Sequence, residues 1–394
     1  MNSLKITIDK KQSNTFCILP WTHVCVSTAG SVIPCCRFQY PRPDISVESL
    51  NTNGLEALNT EEYNKIRTSM LEGKKVEQCK KCYFEEENKV SSYRDYSKNW
   101  FSKPGDNFTD NKFKEIRYIE LSLDNICNLQ CRMCSSRFSS KLITRDQALS
   151  QYEWNKKDYK VHKKLEIDYS FLEREDLSKL EEVKLLGGEP FMSPNFNKFI
   201  DYLIEKTNPA NIRLFIATNG THKLSQELID KLRKFKLLKL RVSFDTYSKA
   251  NDYQRYGSSY TEIWNNLMEY IELWPNAEIG VHTVVSIYNA NKLGSSIAHY
   301  KKHNINYRLD FVRNQEMSLS YVPDDYVAWV ADKNIDDESA KNYIDSFLRT
   351  REYNLNWWNI FLKNTKILDE HYNISLKDYN PELYEFLNKN YGYN

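Results

Sequence analysis

The chain has 394 residues, enough for two or three domains with a large buried core, and 27% are charged against 41% hydrophobic. Its formal net charge of +2 excludes a general attraction to nucleic acid or anionic membrane, and no apolar run is long enough to span a bilayer. Residues Met1–Gln12 are polar and lack the apolar core of a secretion signal, so the protein is expected in the cytoplasm. In that compartment the nine cysteines point to a metal or cluster, not to disulfides. Basic pairs such as Lys156-Lys157 and Lys163-Lys164 read as solvated surface.

Six cysteines lie before residue 83 and three within Cys127–Cys134. A loop-rich segment, Cys17 to Cys36, opens a first unit placed at residues 1–96; a helix over Glu61–Glu72 and the pair Cys79 and Cys82 follow. The Ser, Pro, Gly, Asp and Asn content of Ser97–Lys112 marks a linker, 97–115. From 116 to 313 short apolar strands alternate with amphipathic helices. The strands are expected at Ile116–Leu123, Val183–Leu186, Arg213–Ala217, Leu238–Phe244, Glu278–Val285 and Tyr307–Val312, with helices at Asn195–Glu205, Ser225–Phe235 and Thr261–Leu273. This alternation predicts an α/β fold, a partial (β/α)6 barrel behind an N-terminal cysteine-rich cluster domain. Gln151–Asp176 is too long for a simple connection and reads as an insertion. The tail, 314–394, is helical and aromatic, with Trp329, Trp357, Trp358 and Phe361, and is expected to cover the barrel.

The loop after the first barrel strand reads Cys127-Asn128-Leu129-Gln130-Cys131-Arg132-Met133-Cys134. Loops at the C-terminal ends of parallel strands carry the chemistry of α/β proteins. Three thiolates leave one iron of a four-iron cluster open, whereas a structural zinc asks for four ligands.

This Cys-x-x-x-Cys-x-x-Cys loop resembles the motif of the radical S-adenosylmethionine (SAM) superfamily. The resemblance implies a 4Fe–4S cluster on Cys127, Cys131 and Cys134, whose open iron takes the amino and carboxylate groups of SAM. Reductive cleavage then gives a 5′-deoxyadenosyl radical that abstracts hydrogen from a substrate. In the family the residue before the last cysteine is usually aromatic; here Met133 stands there, a soft side chain taken as an adenine contact. The second strand ends in Gly187, Gly188, Glu189 and Pro190, which resembles the family segment receiving the SAM amino group. The third ends in Thr218 and Asn219 before a glycine, as in the family's Thr-Asn-Gly. The fourth ends in Ser243 and Asp245, with Arg255 in the next loop; their family counterparts contact the ribose or the carboxylate. Val285 closes a segment resembling the one that flanks adenine.

In the first unit, Cys17, then Gly30-Ser31-Val32-Ile33-Pro34-Cys35, then Cys79 and Cys82, resemble the first part of a SPASM domain or its shorter twitch relative. The resemblance implies a second 4Fe–4S cluster on Cys17, Cys35, Cys79 and Cys82, with Cys25 a buried thiol and Cys36 a spare. A structural zinc on the same four thiolates stays open. The resemblance further implies reduced flavodoxin or ferredoxin as electron donor. The substrate leans to a peptide or protein; an epimerase or dehydrogenase of a carbohydrate or other small molecule is the alternative. A non-enzymatic iron–sulfur redox sensor is the alternative of another class, and the Gly-Gly-Glu-Pro segment speaks against it. Asp245, His282 and Asp310 are the candidates for acid–base work, being on barrel strands or at their ends.

Overall fold

The structure, a computed structural model, describes residues 14–87, 91–104, 106–155, 161–162, 167–312, 314–348 and 351–393, without the side chains of 346–348. Met1–Gln12, both basic pairs and the middle of the expected insertion lie outside the described residues. No helix of the described residues is long and apolar enough to cross a membrane.

Among the described residues eight strands form one sheet: β1 (His23–Val26), β2 (Val32–Ile33), β3 (Tyr118–Ser122), β4 (Glu182–Leu186), β5 (Arg213–Thr218), β6 (Leu237–Ser243), β7 (Glu278–Val285) and β8 (Asn306–Phe311). Their order is β2-β1-β3-β4-β5-β6-β7-β8, open rather than closed, and every neighbouring pair is parallel except β1 with β2. The six strands expected from sequence are β3 to β8. The segment read as loop-rich supplies the other two, which is a correction. With four and two residues, these strands are too short to show a period in the sequence.

Alternation does govern β6. Leu238, Leu240 and Val242 are buried against the helices, while Lys239, Arg241 and Ser243 are half-buried on the other, inner face. The helix Pro194–Lys206 shows why the outer layer forms. Ser193 caps it by accepting from Asn195 N, Pro194 pre-sets its first turn, and Phe196, Phe199, Ile200 and Leu203 make one apolar stripe. Each such side chain contributes roughly 1.5–3 kcal/mol on full burial. The described ends of the insertion pack inward too, with Ile167, Phe171 and Leu172 in the same core.

The helix Tyr93–Phe101 runs into the stretch expected as linker, and Ser97 and Phe101 within it are fully buried. Arg117, just before β3, binds Asp106 through both terminal nitrogens, at 2.7 and 2.6 Å, which fixes this stretch against the sheet. The C-terminal region is helical, with Asp324–Lys333, Glu338–Leu348, Leu355–Tyr372 and Pro381–Tyr391. Trp358, Phe361, Tyr326 and Phe386 form a second core with Val285, Ile287 and Tyr288 from the end of β7.

Candidate active site

The three-cysteine loop leaves β3 at Ser122 and is folded by its own polar groups. Asp124 Oδ1 accepts from Ile126 N at 2.8 Å, and fully buried Asn125 donates to Ser136 O at 2.9 Å. Cys134 N donates to Cys131 O at 3.0 Å, closing a turn between the last two cysteines. Arg145, from the helix Ile143–Ser150, donates to Cys131 O at 3.1 Å and Cys134 O at 2.6 Å, and pairs with Asp146. Arg132 donates to Asp369 of the C-terminal helix at 2.5 Å and lies 3.7 Å over the ring of Tyr253.

Burial pushes Cys127 and Cys131 up to about 12 and Cys134 up to about 11. Each of the three also feels the charge of another, so the sulfurs lie near one another, though not all within 4.8 Å. Such thiols become thiolates only against a strong positive centre. Three neighbouring sulfurs fit a four-iron cluster with one open iron.

The strand-end segments close around this loop. Gly188 N donates to Asp124 O at 3.0 Å and Glu189 N to Ile126 O at 2.7 Å. Gly187 has φ +135°, and a Cβ there would stand 2.6 Å from Asp124 O; one at Gly188 would overlap Ile126 O. Only glycines admit this approach. Pro190 opens a short turn for which Glu189 is the cap. Buried Glu189 accepts from Thr218 Oγ1 at 2.7 Å, Asn219 N at 2.5 Å and Phe191 N at 3.2 Å. Burial outweighs these bonds and raises its pKa to about 7. Glu189 thus ties the end of β4 to the end of β5. Asn219 reaches Cys127 Sγ at 3.7 Å and Asn128 Oδ1 at 2.7 Å, joining β5 to the cysteine loop.

Asp245 and Arg255 form one buried unit. Arg255 Nη2 donates to Asp245 Oδ1 at 2.8 Å, and its Nε lies 2.8 Å from Oδ2. Val284 N and Gln254 Nε2 take the carboxylate's remaining positions at 2.8 and 2.5 Å. A carboxylate so occupied braces Arg255. Val285 is buried in the second core, with its carbonyl accepting from Val312 N at 2.9 Å, while half-buried Val284 takes the inner face. Met133 packs half-buried against that same core. Ser243 aligns with His282 on the inner face. His282 Nε2 lies 2.8 Å from Asp310 Oδ2, to which Arg308 Nε donates at 3.0 Å. Burial raises the Asp310 pKa, but the bonds from His282 and Arg308 outweigh it and hold the carboxyl well below its usual range.

The four amino-terminal cysteines converge as well. Cys17 precedes a short turn before β1, Cys35 follows β2, and Cys79 and Cys82 flank the start of the helix Lys80–Glu87. Burial raises all four pKa values; Cys82 acts on Cys17 and on Cys79, and Cys17 acts on Cys35 and Cys79. The four sulfurs are buried or half-buried and near one another, but no three of them lie within 4.8 Å, a spacing wider than a tetrahedral zinc draws together and open to a four-iron cluster. Cys36 and Cys25 engage the sheet instead. Cys36 Sγ is 4.0 Å from Lys184 Nζ, and Cys25, His23 and Glu120 bring ligand-type atoms within 4.8 Å of one another. Lys184 pairs with Glu120 at 3.2 Å and supplies the positive charge of this group.

Sequence reasoning missed Arg145, Arg132, Asp369 and Tyr253, which position the cysteine loop. Arg132 was in view between the cysteines. Nothing in the sequence links it to Asp369, 237 residues away.

Residues 121–292 match the Radical SAM superfamily, and residues 17–83 match SPASM, an iron–sulfur cluster-binding domain. The chain is similar to the GTP 3′,8-cyclase of Desulforamulus reducens, 24% identical over 166 residues that cover 42% of this chain and 45% of that one. It is also similar to the GTP 3′,8-cyclase of Syntrophomonas wolfei subsp. wolfei, 25% identical over 146 residues, 35% of this chain and 36% of that one. The chain thus spans less than half the length of these relatives. Among solved structures it is similar to native anSMEcpe with bound AdoMet, with TM-score 0.38 and 14% identity over 64% of this chain and 66% of that chain. Streptococcus suis SuiB bound to S-adenosylmethionine gives TM-score 0.35 and 13% identity over 84% and 69%. The cysteine loop, set among the strand ends of an open and largely parallel sheet, thus lies within the stretch that matches the Radical SAM superfamily, and the match to the SPASM iron–sulfur cluster-binding domain precedes it.

Proposed function

We propose that Cys127, Cys131 and Cys134 hold a 4Fe–4S cluster, and that Gly187–Pro190, Thr218, Asn219, Ser243, Arg255 and Met133 surround SAM beside it. When bound, the cluster would supply the electron for reductive cleavage of SAM, the chemistry by which hydrogen would be abstracted from the substrate. The chain's own residues do the rest. Arg145 and Arg132 fix the loop carbonyls and the loop's path, Glu189 joins two strand ends, and Asp245 braces Arg255. The convergence of three buried or half-buried thiols with these strand-end segments carries the reading. His282 with Asp310 is the pair on the inner face suited to moving a proton, being half-exposed and hydrogen-bonded. Cys17, Cys35, Cys79 and Cys82 hold the auxiliary cluster, and reduced flavodoxin or ferredoxin delivers electrons.

The substrate reading leans to a peptide. A nucleotide or other small molecule is the second reading, favoured by the curated relatives being GTP 3′,8-cyclases. Anaerobically reconstituted, reduced protein is expected to release 5′-deoxyadenosine from SAM, and Ala at Cys127, Cys131 or Cys134 to abolish this. Undiminished release from all three variants would sink the proposal.

A further inference from the structure

The inner face of the barrel carries five strand cations, and four have a carboxylate partner. Lys184 pairs with Glu120 at 3.2 Å, Arg213 with Glu182 at 2.7 Å, Lys239 with Glu278 at 2.9 Å and Arg308 with Asp310 at 3.0 Å. Arg241, on β6 between Lys239 and Ser243, is the exception. Among the described residues no hydrogen bond or ion pair reaches its guanidinium, and its Nη1 is buried without a partner. Glu278, whose charge it feels, is committed to Lys239, and Arg308 adds a like charge. Burial and that repulsion work against its own positive charge.

An unpaired, partly desolvated guanidinium costs stability unless an anion arrives to meet it. Two features make room for one. Ala217, aligned with Arg241 on β5, presents only a methyl group. Ser243, two residues further along the same face, adds a hydroxyl about 7 Å nearer the strand ends. On the far side, the Asn306 backbone of β8 closes over Gly280 and forms a wall. Arg241 therefore lies two residues inside the end of β6, on the inner face.

We propose that Arg241 is the anchor for an oxyanion of the substrate, a carboxylate or a phosphate, which it binds through the paired donors of its guanidinium. This rests on the radical SAM reading and adds to it the charge class of the substrate.

The test uses reconstituted, anaerobic holoprotein saturated with SAM. One arm is titrated calorimetrically with inorganic phosphate and pyrophosphate, the other with acetate and N-acetylaspartate. At least one arm is expected to bind wild-type protein, with affinity falling roughly ten- to a hundredfold in Arg241→Gln and recovering in part in Arg241→Lys. Iron content and circular dichroism establish that both variants are folded. Binding confined to the phosphate arm assigns a phosphorylated substrate; binding confined to the other assigns a carboxylate. Binding in neither arm, or equal binding by Arg241→Gln, overturns the inference. So does a loss of SAM affinity in that variant, which would give Arg241 to the cosubstrate's own carboxylate. A wild-type holoprotein that leaves SAM uncleaved takes down the proposed function itself, a result the anion titrations cannot produce.

Discussion

At the scale of single residues, the site depends on how closely two backbones can approach. A Cβ on Gly188 would collide with Ile126 O, Ile126 C and Asn125 C, all backbone atoms that cannot swing aside. Gly188→Ala is therefore expected to lower stability by about 1–3 kcal/mol and to reduce loading of the three-cysteine cluster. Gly392→Ala is the control, because its Cβ meets nothing within 4 Å and only its φ of +60° is unfavourable. Thermal midpoints and iron content measured side by side check this; a loss in Gly188→Ala no larger than in Gly392→Ala would mean that the backbone relieves the collision at little cost. The glycines and cysteines could be read in the sequence because their chemistry is local. The duty of Asp245 could not. Its carboxylate is used up by Arg255, Gln254 and Val284 N, and only the fold brings those donors together.

At the scale of elements, both cysteine sites are assembled from separate segments. The amino-terminal four come from a turn, a strand end and a helix start, so whatever they bind ties 17–35 to 79–82. Total iron is expected at about eight per chain, and a triple Cys127/Cys131/Cys134→Ala variant should retain about four. A colourless triple variant carrying one zinc would assign the same ligands to the other metal. The C-terminal helix Leu355–Tyr372 has a comparable duty toward the radical site. Asp369 pairs with Arg132, and Tyr372 donates to Gln130 O at 3.3 Å, so the tail clamps the cysteine loop as well as covering the barrel. The aromatic tail was legible as a cover because aromatics at helical spacing mark a buried face. Its grip on the loop was not, since it depends on a single long-range ion pair.

For the whole molecule, six strands and the main helices were legible because short apolar runs recur between amphipathic helices through β3 to β8. The join between the first unit and the barrel was hidden, because β1, four residues long and opening on His23, is too short to show a period. That histidine gives the join a pH signature. Burial, the largest influence, lowers the His23 pKa from 6.5 to about 4, while Nδ1 stays bonded to Pro34 O and the ring stacks on Tyr118. Folded His23 thus binds fewer protons than unfolded His23 between these two values, and its contribution to stability is present above pH 6.5 and lost as pH falls toward 4. The loss is about 2 kcal/mol near pH 5. Unfolding of wild type and His23→Gln, compared between about pH 7.5 and 5, should show a shallower decline in the variant. Parallel declines would place the acid sensitivity elsewhere.

The parallel pairing of β1 with β3 has one more consequence. β1 pairs with Tyr118 to Leu121 of the strand that leads into the three-cysteine loop. A fragment beginning near residue 116 would keep every radical-site cysteine yet leave those residues bare, an open sheet edge of largely apolar strand that invites pairing between chains. Such a truncation should self-associate before it ever loses a ligand, so the amino-terminal unit guards the barrel's solubility whatever metal it holds.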